Sequence, residues 1–133
     1  MAIVRHKIRY ATAPYAKGAP PFDEPRARST HAVVHNGIVY LRGHVSDDPK
    51  ADVKEQTRTI LDEIETYLKE LGSDRSKLIW VNVWLADIRD IDDHNEAWDA
   101  WIDPENPPAR ACVEARLGHS FQKVEIAAIA EAE

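Results

Sequence analysis

Cysteine is almost missing from this chain. Its single copy, Cys112, has no partner with which to close a disulfide inside the molecule, which agrees with a reducing compartment. Long apolar runs are missing too: none approaches the roughly 20 residues needed to span a bilayer, so no membrane association is expected. The opening Met1-Ala2-Ile3-Val4-Arg5-His6-Lys7 lacks the apolar stretch and cleavage site of a secretion signal, and the expected location is the cytoplasm. Positive charge is in deficit, giving a net charge of −6, so a phosphate backbone would be repelled unless a local basic patch opposed it. The densest basic stretches, Arg5 to Arg9 and Arg26 to Arg28, are short, and nucleic acid is not an expected partner. No glycine-rich phosphate loop occurs. Six histidines are present, but His31 and His35, in a strand, would stand roughly 13 Å apart at about 3.3 Å per residue, too far to share an ion. Neither a metal nor a cofactor is expected.

With 44% hydrophobic and 30% charged residues, the composition is that of a globular protein, and 133 residues suit one domain over 1–133. Ile3 to Ile8 reads as a strand. Ala11 to Pro25, with four of the eight prolines and Gly18, reads as an extended loop. His31-Ala32-Val33-Val34-His35, then Asn36-Gly37, then Ile38-Val39-Tyr40-Leu41 is a hairpin signal. Asp52 with Glu55 three residues on resembles a capping box. Val53, Thr57, Ile60, Leu61, Ile64, Leu68 and Leu71 then recur at helical spacing up to Gly72, predicting an amphipathic helix over Asp52 to Leu71.

Leu78 to Ala86 reads as a strand with Ile79, Val81, Val83 and Leu85 on one face and Leu78, Trp80, Asn82 and Trp84 on the other. A second helix is expected from Ile91 to Ile102, stopped by Asp103-Pro104, followed by strands over Ala109 to Ala115 and Val124 to Ala130 with a turn around Gly118. Two helices of this length cover one face of a sheet. The other face, with Trp80 and Trp84, carries too much apolar area to leave in water, and a second copy of the chain is the simplest cover.

The block Asn106-Pro107-Pro108-Ala109-Arg110-Ala111-Cys112-Val113-Glu114-Ala115-Arg116-Leu117, followed by Lys123 to Ala130, resembles the C-terminal signature of the RidA/YjgF family. Val33 to Gly43, Glu55-Gln56-Thr57, Val83 to Asp87 and Asn95 to Trp101 resemble corresponding family segments. The likeness covers roughly Ser29 to Ala130 and is greatest to the YoaB-like branch. It implies a chorismate-mutase-like α+β fold and a homotrimer with a central barrel and ligand clefts between subunits. It also implies hydrolysis of reactive enamine and imine acids, such as 2-aminoacrylate, to 2-oxo acids and ammonia. In the family an arginine at the position of Arg110 holds the substrate carboxylate, and a glutamate at the position of Glu125 positions the attacking water.

Each candidate has a plainer alternative. Arg110 offers a planar fork of donors that stays charged when desolvated, and it serves either a ligand carboxylate or an internal salt bridge. Glu125 suits imine hydrolysis, which needs water oriented and deprotonated beside the C=N carbon; it reads equally as an exposed strand residue or an ion-pair partner between subunits. Cys112 has no assigned base and reads as a small filler that lines the cleft. Asn95 matches a cleft-side asparagine of the family or is solvated. By alignment to Gly43, the tyrosine and small hydroxyl residue of the founding members' cleft are replaced by Ser29 and Arg42, and Arg42 is either a ligand contact or an intersubunit ion pair. Tyr15, whose Ala13-Pro14-Tyr15 context superficially resembles the family motif, sits in the proline-rich stretch and is expected to lie too far from the hairpin to serve. The alternative to a deaminase is a trimeric module that binds a small carboxylate without turnover.

Overall fold

Asn36 and Gly37 adopt φ angles of 51° and 76°, the left-handed pair a two-residue hairpin turn requires. In the computed structural model, which describes residues 2–132, they join β2 (Arg26–His35) to β3 (Ile38–Leu41). Strand β2 starts five residues before the predicted hairpin because β1 (Val4–Ala11) pairs with its polar first half, Ile8 opposite Thr30 and Arg9 opposite Ser29. Residues 12–25 connect these two strands. The short β4 (His44–Val45), unforeseen in the sequence, follows the kink at Arg42 and Gly43 and pairs with β7 (Val124–Glu131).

The first helix, α1 (Val53–Glu70), begins where Asp52 accepts a 2.8 Å hydrogen bond from the Glu55 amide, a cap worth about 1 kcal/mol. The Glu55 carboxylate is engaged with Arg58. At the other end Ser73 N donates to Leu68 O and Gly72 N to Lys69 O, a Schellman closure that needs the left-handed Gly72.

Strand β5 (Leu78–Leu85) runs antiparallel to β7 and parallel to β6 (Ala109–Glu114). The full order is β1-β2-β3-β7-β5-β6, with β6 at one edge. A register shift between Leu78 and Trp80 corrects the predicted faces of β5. Leu78 joins Val81, Val83 and Leu85 in the core, while Ile79 is left exposed, because one inserted residue reverses the alternation on its far side.

Ile60, Leu61, Ile64 and Leu68 of α1, with Trp98 and Trp101 of α2 (Ile91–Trp101), bury one face of the sheet against Val39, Val83 and Ile126. The architecture is α+β, two helices on a mixed sheet, as expected. On the other face Trp80, Trp84 and Ile129 are half-buried, and Tyr40 and Val113 are exposed. Among the described residues no helix is long and apolar enough to cross a membrane.

Candidate functional site

Arg110 lies opposite Val81 in the β5–β6 register and Cys112 lies opposite Val83, so both project toward the helices. Helix α2 meets them there with Asn95 and Trp98, three residues apart and therefore on one helical face. Arg110 Nη2 donates to Asn95 Oδ1 at 2.9 Å, and the guanidinium lies 4.8 Å from the centre of the Trp98 ring. Nη1 is buried and without a hydrogen-bond partner. Among the described residues the internal salt bridge considered for Arg110 does not form; a neutral amide and an aromatic face orient it instead. Burial pushes the Cys112 thiol up against the opposing pull of Arg110, which keeps it protonated and a poor nucleophile.

Behind this group His94 is fully buried, its Nδ1 paired with Thr57 Oγ1 at 3.0 Å. Burial and then the Arg110 charge lower its pKa to about 4, so it is neutral near pH 7. Neither His94 nor the stacking role of Trp98 was apparent from the sequence; both residues read there only as parts of a helix.

Glu125 stands opposite Trp84 on β5 and Val45 on β4. Trp84 is three residues from Val81, an odd step, so Glu125 and Arg110 point to opposite faces of the sheet. Arg42, Ser29 and Glu125 share an open pocket of about 450 Å³ with Arg9, Tyr15 and His119. A β-carbon at Gly43 would collide with the Glu125 carboxylate, so the absence of a side chain at 43 makes room for it. Burial raises the Glu125 pKa, and the Arg42 charge opposes the rise. Arg42 Nη1 donates to Gly43 O at 2.7 Å, while its Nε is buried and unpaired.

Tyr15 departs from the sequence expectation. Its ring stacks on His119 with centroids 5.1 Å apart, and His119 stacks on Phe121 at 5.6 Å, which folds the 12–25 segment back over the pocket. The Ala-Pro-Tyr context was the available signal; its distance along the chain from the hairpin obscured it.

The candidates thus form two groups within one chain: Arg110, Asn95 and Cys112 under α2, and Arg42, Ser29 and Glu125 around the β4 kink. Among the described residues no cluster of three His, Cys, Asp or Glu side chains is arranged to hold a metal ion.

Residues 21–132 match the family described as endoribonuclease L-PSP. A RutC family protein of Haemophilus influenzae is 38% identical over 107 residues, 80% of this chain and 92% of that protein. The RutC family protein YoaB of Escherichia coli is 36% identical over 107 residues, 80% of this chain and 93% of its own. A crystal structure of a YjgF family member from Neisseria meningitidis superposes with a TM-score of 0.78 at 33% identity, covering 98% of both chains.

Proposed function

This chain belongs to the endoribonuclease L-PSP family, which takes in the YjgF, RidA and RutC proteins, and we propose that it hydrolyses small imine and enamine acids to 2-oxo acids and ammonia. One observation carries the reading: Asn95 and Trp98 fix the Arg110 guanidinium while its buried Nη1 keeps no partner. A buried donor left unmade costs about 1–3 kcal/mol, and an incoming carboxylate supplies the charge-assisted partner.

Because Arg110 and Glu125 point to opposite faces of one sheet, the reading requires a neighbouring copy of the chain, and the family resemblance makes that assembly a homotrimer. The Glu125 pocket of one subunit then faces the Arg110 of a neighbouring copy, and the apolar face around Trp84 is covered. In that cleft Glu125 takes a proton from water as the oxygen bonds to the C=N carbon, and the π-electron pair passes to nitrogen, which is protonated. Glu125 passes the proton it took from water to that nitrogen. It then accepts the hydroxyl proton of the resulting carbinolamine and relays it to the amine as the oxygen lone pair forms C=O and the C–N bond breaks, leaving the 2-oxo acid and ammonia. An enamine first takes a solvent proton at its β-carbon to become the imine. A carboxyl raised by burial is better matched to this acid–base exchange near neutrality than an ordinary one. The cytoplasm, where reactive imines arise, is the setting this chemistry implies. A net charge of −6 opposes a phosphate backbone and speaks against the nuclease activity in the family's description.

The test is consumption of 2-iminopropionate generated in situ. Wild type is expected to exceed buffer, and Arg110→Ala to lose about 100-fold or more through loss of a bidentate, charge-assisted anchor. Equal rates for the two proteins, or none above buffer, would overturn the mechanism. Arg42 in the Glu125 pocket favours the second reading, a carboxylate-binding module; thermal stabilisation by 2-oxo acids without turnover would establish that reading instead.

A further inference from the structure

Two guanidinium groups line the Glu125 pocket, and among the described residues neither is in an ion pair. Arg9 reaches it from β1, beside Ser29 on β2, and Arg42 from the kink between β3 and β4. Arg42 spends one donor on the backbone of Gly43 and keeps a buried, unpaired Nε. Burial lowers its pKa first and Arg9 second, and Arg9 acts on it more strongly than Glu63 or Asp47 does in the opposite direction. Holding two cations side by side, one of them half-desolvated, is unfavourable unless an anion lies between them. Asp47 and Glu125 line the same pocket, but among the described residues neither forms an ion pair with Arg42 or Arg9. The hydroxyl-bearing Ser29 and Tyr15 complete the wall with groups able to donate to an anion.

These arginines are surplus to the proposed chemistry, which needs one anchor for the α-carboxylate and already has it in Arg110. We infer that Arg42 and Arg9 form a second anion subsite beside Glu125, and that the substrates are 2-imino acids with a second carboxylate on the side chain. The inference rests on the imine-hydrolysis reading for its substrate class. A carboxylate fits better than a phosphate: its planar pair of oxygens matches the guanidinium fork, and Asp47 and Glu125 face the same pocket, where a doubly charged group would be repelled more strongly.

The experiment compares imines generated in situ from aspartate and from alanine, with wild type and Arg42→Gln. The readout is the ratio of kcat/KM for the dicarboxylic over the monocarboxylic imine. Loss of one charge-assisted contact predicts that this ratio falls about tenfold or more in Arg42→Gln. A ratio unchanged within about twofold overturns the subsite. An unchanged ratio accompanied by an altered oligomeric state in light scattering overturns it as well and makes Arg42 a subunit contact. If wild type turns over neither imine, the hydrolase reading fails by itself, and calorimetry with succinate and propionate decides the subsite. Selective weakening of succinate binding by Arg42→Gln sustains it, while equal weakening of both ligands, or of neither, overturns it.

Discussion

Gly43 acts through the side chain it does not have. The Glu125 carboxylate occupies the space a β-carbon would take, and since that carboxylate is the far end of a flexible side chain, Gly43→Ala should displace it without breaking the fold. Turnover of 2-iminopropionate is expected to fall about tenfold or more as the base is misplaced, with a melting temperature within about 4 °C of wild type; undiminished activity would remove Glu125 from the site as described. Arg110 and Glu125 were legible at this scale because a short C-terminal block carries both. Tyr15 was not, because a stack on His119 and Phe121 joins residues about a hundred positions apart, and no local pattern announces it. Ser29, Arg42 and Glu125 line one pocket, but the unpaired state of Arg42 belongs to the folded pocket alone.

At the scale of elements, α2 positions Arg110, the proposed anchor. Its Asn95 and Trp98 hold Arg110, and its His94 pins the helix to α1 through Thr57. His94 and His44 are both buried, with pKa values lowered from 6.5 to about 4. For His44 the causes are burial, then the Arg42 charge. Between those two values the unfolded chain binds more protons than the native one, so stability increases with pH through this window. Their contribution is complete above 6.5 and is lost as the pH falls to about 4, by up to roughly 3 kcal/mol for each imidazole. Urea midpoints measured from about pH 7 down to about pH 4.5 should decline for wild type and decline less for His94→Gln. Parallel curves would mean that His94 titrates normally. The helices themselves were plain in the sequence, from the Asp52 cap to Gly72 and from Ile91 to Ile102, the second ending one residue earlier in the structure, at Trp101. The inserted residue in β5 was not, because Leu78 and Ile79 are equally apolar and only pairing with β7 decides which is buried.

For the molecule as a whole, the sheet covers one face with its own helices and leaves Trp80, Trp84, Tyr40 and Val113 on the other without helical cover. The proposed trimer predicts a mass by light scattering three times that of the chain at micromolar concentration. Trp84→Glu, which sets a charge into the apolar face, should shift the protein to smaller species, since an uncompensated buried charge costs about 3–5 kcal/mol. Retained helical circular dichroism would show that the subunit still folds. A wild-type monomer would leave Arg110 and Glu125 apart and end the shared-cleft mechanism.

Residue order alone determined the two helices, the Asn36-Gly37 hairpin and the apolar strands, since these depend on periodicity, capping and turn chemistry read within a few residues; Arg110 was singled out by the family resemblance of its block. The tertiary structure decided the rest. Pairing register set Arg110 and Glu125 on opposite faces, a long loop returned Tyr15 to the pocket, and burial left donors on Arg110 and Arg42 unpaired. Those outcomes arise from contacts between distant segments, where side-chain direction, desolvation and the charge of neighbours are fixed only once the strands and helices have packed.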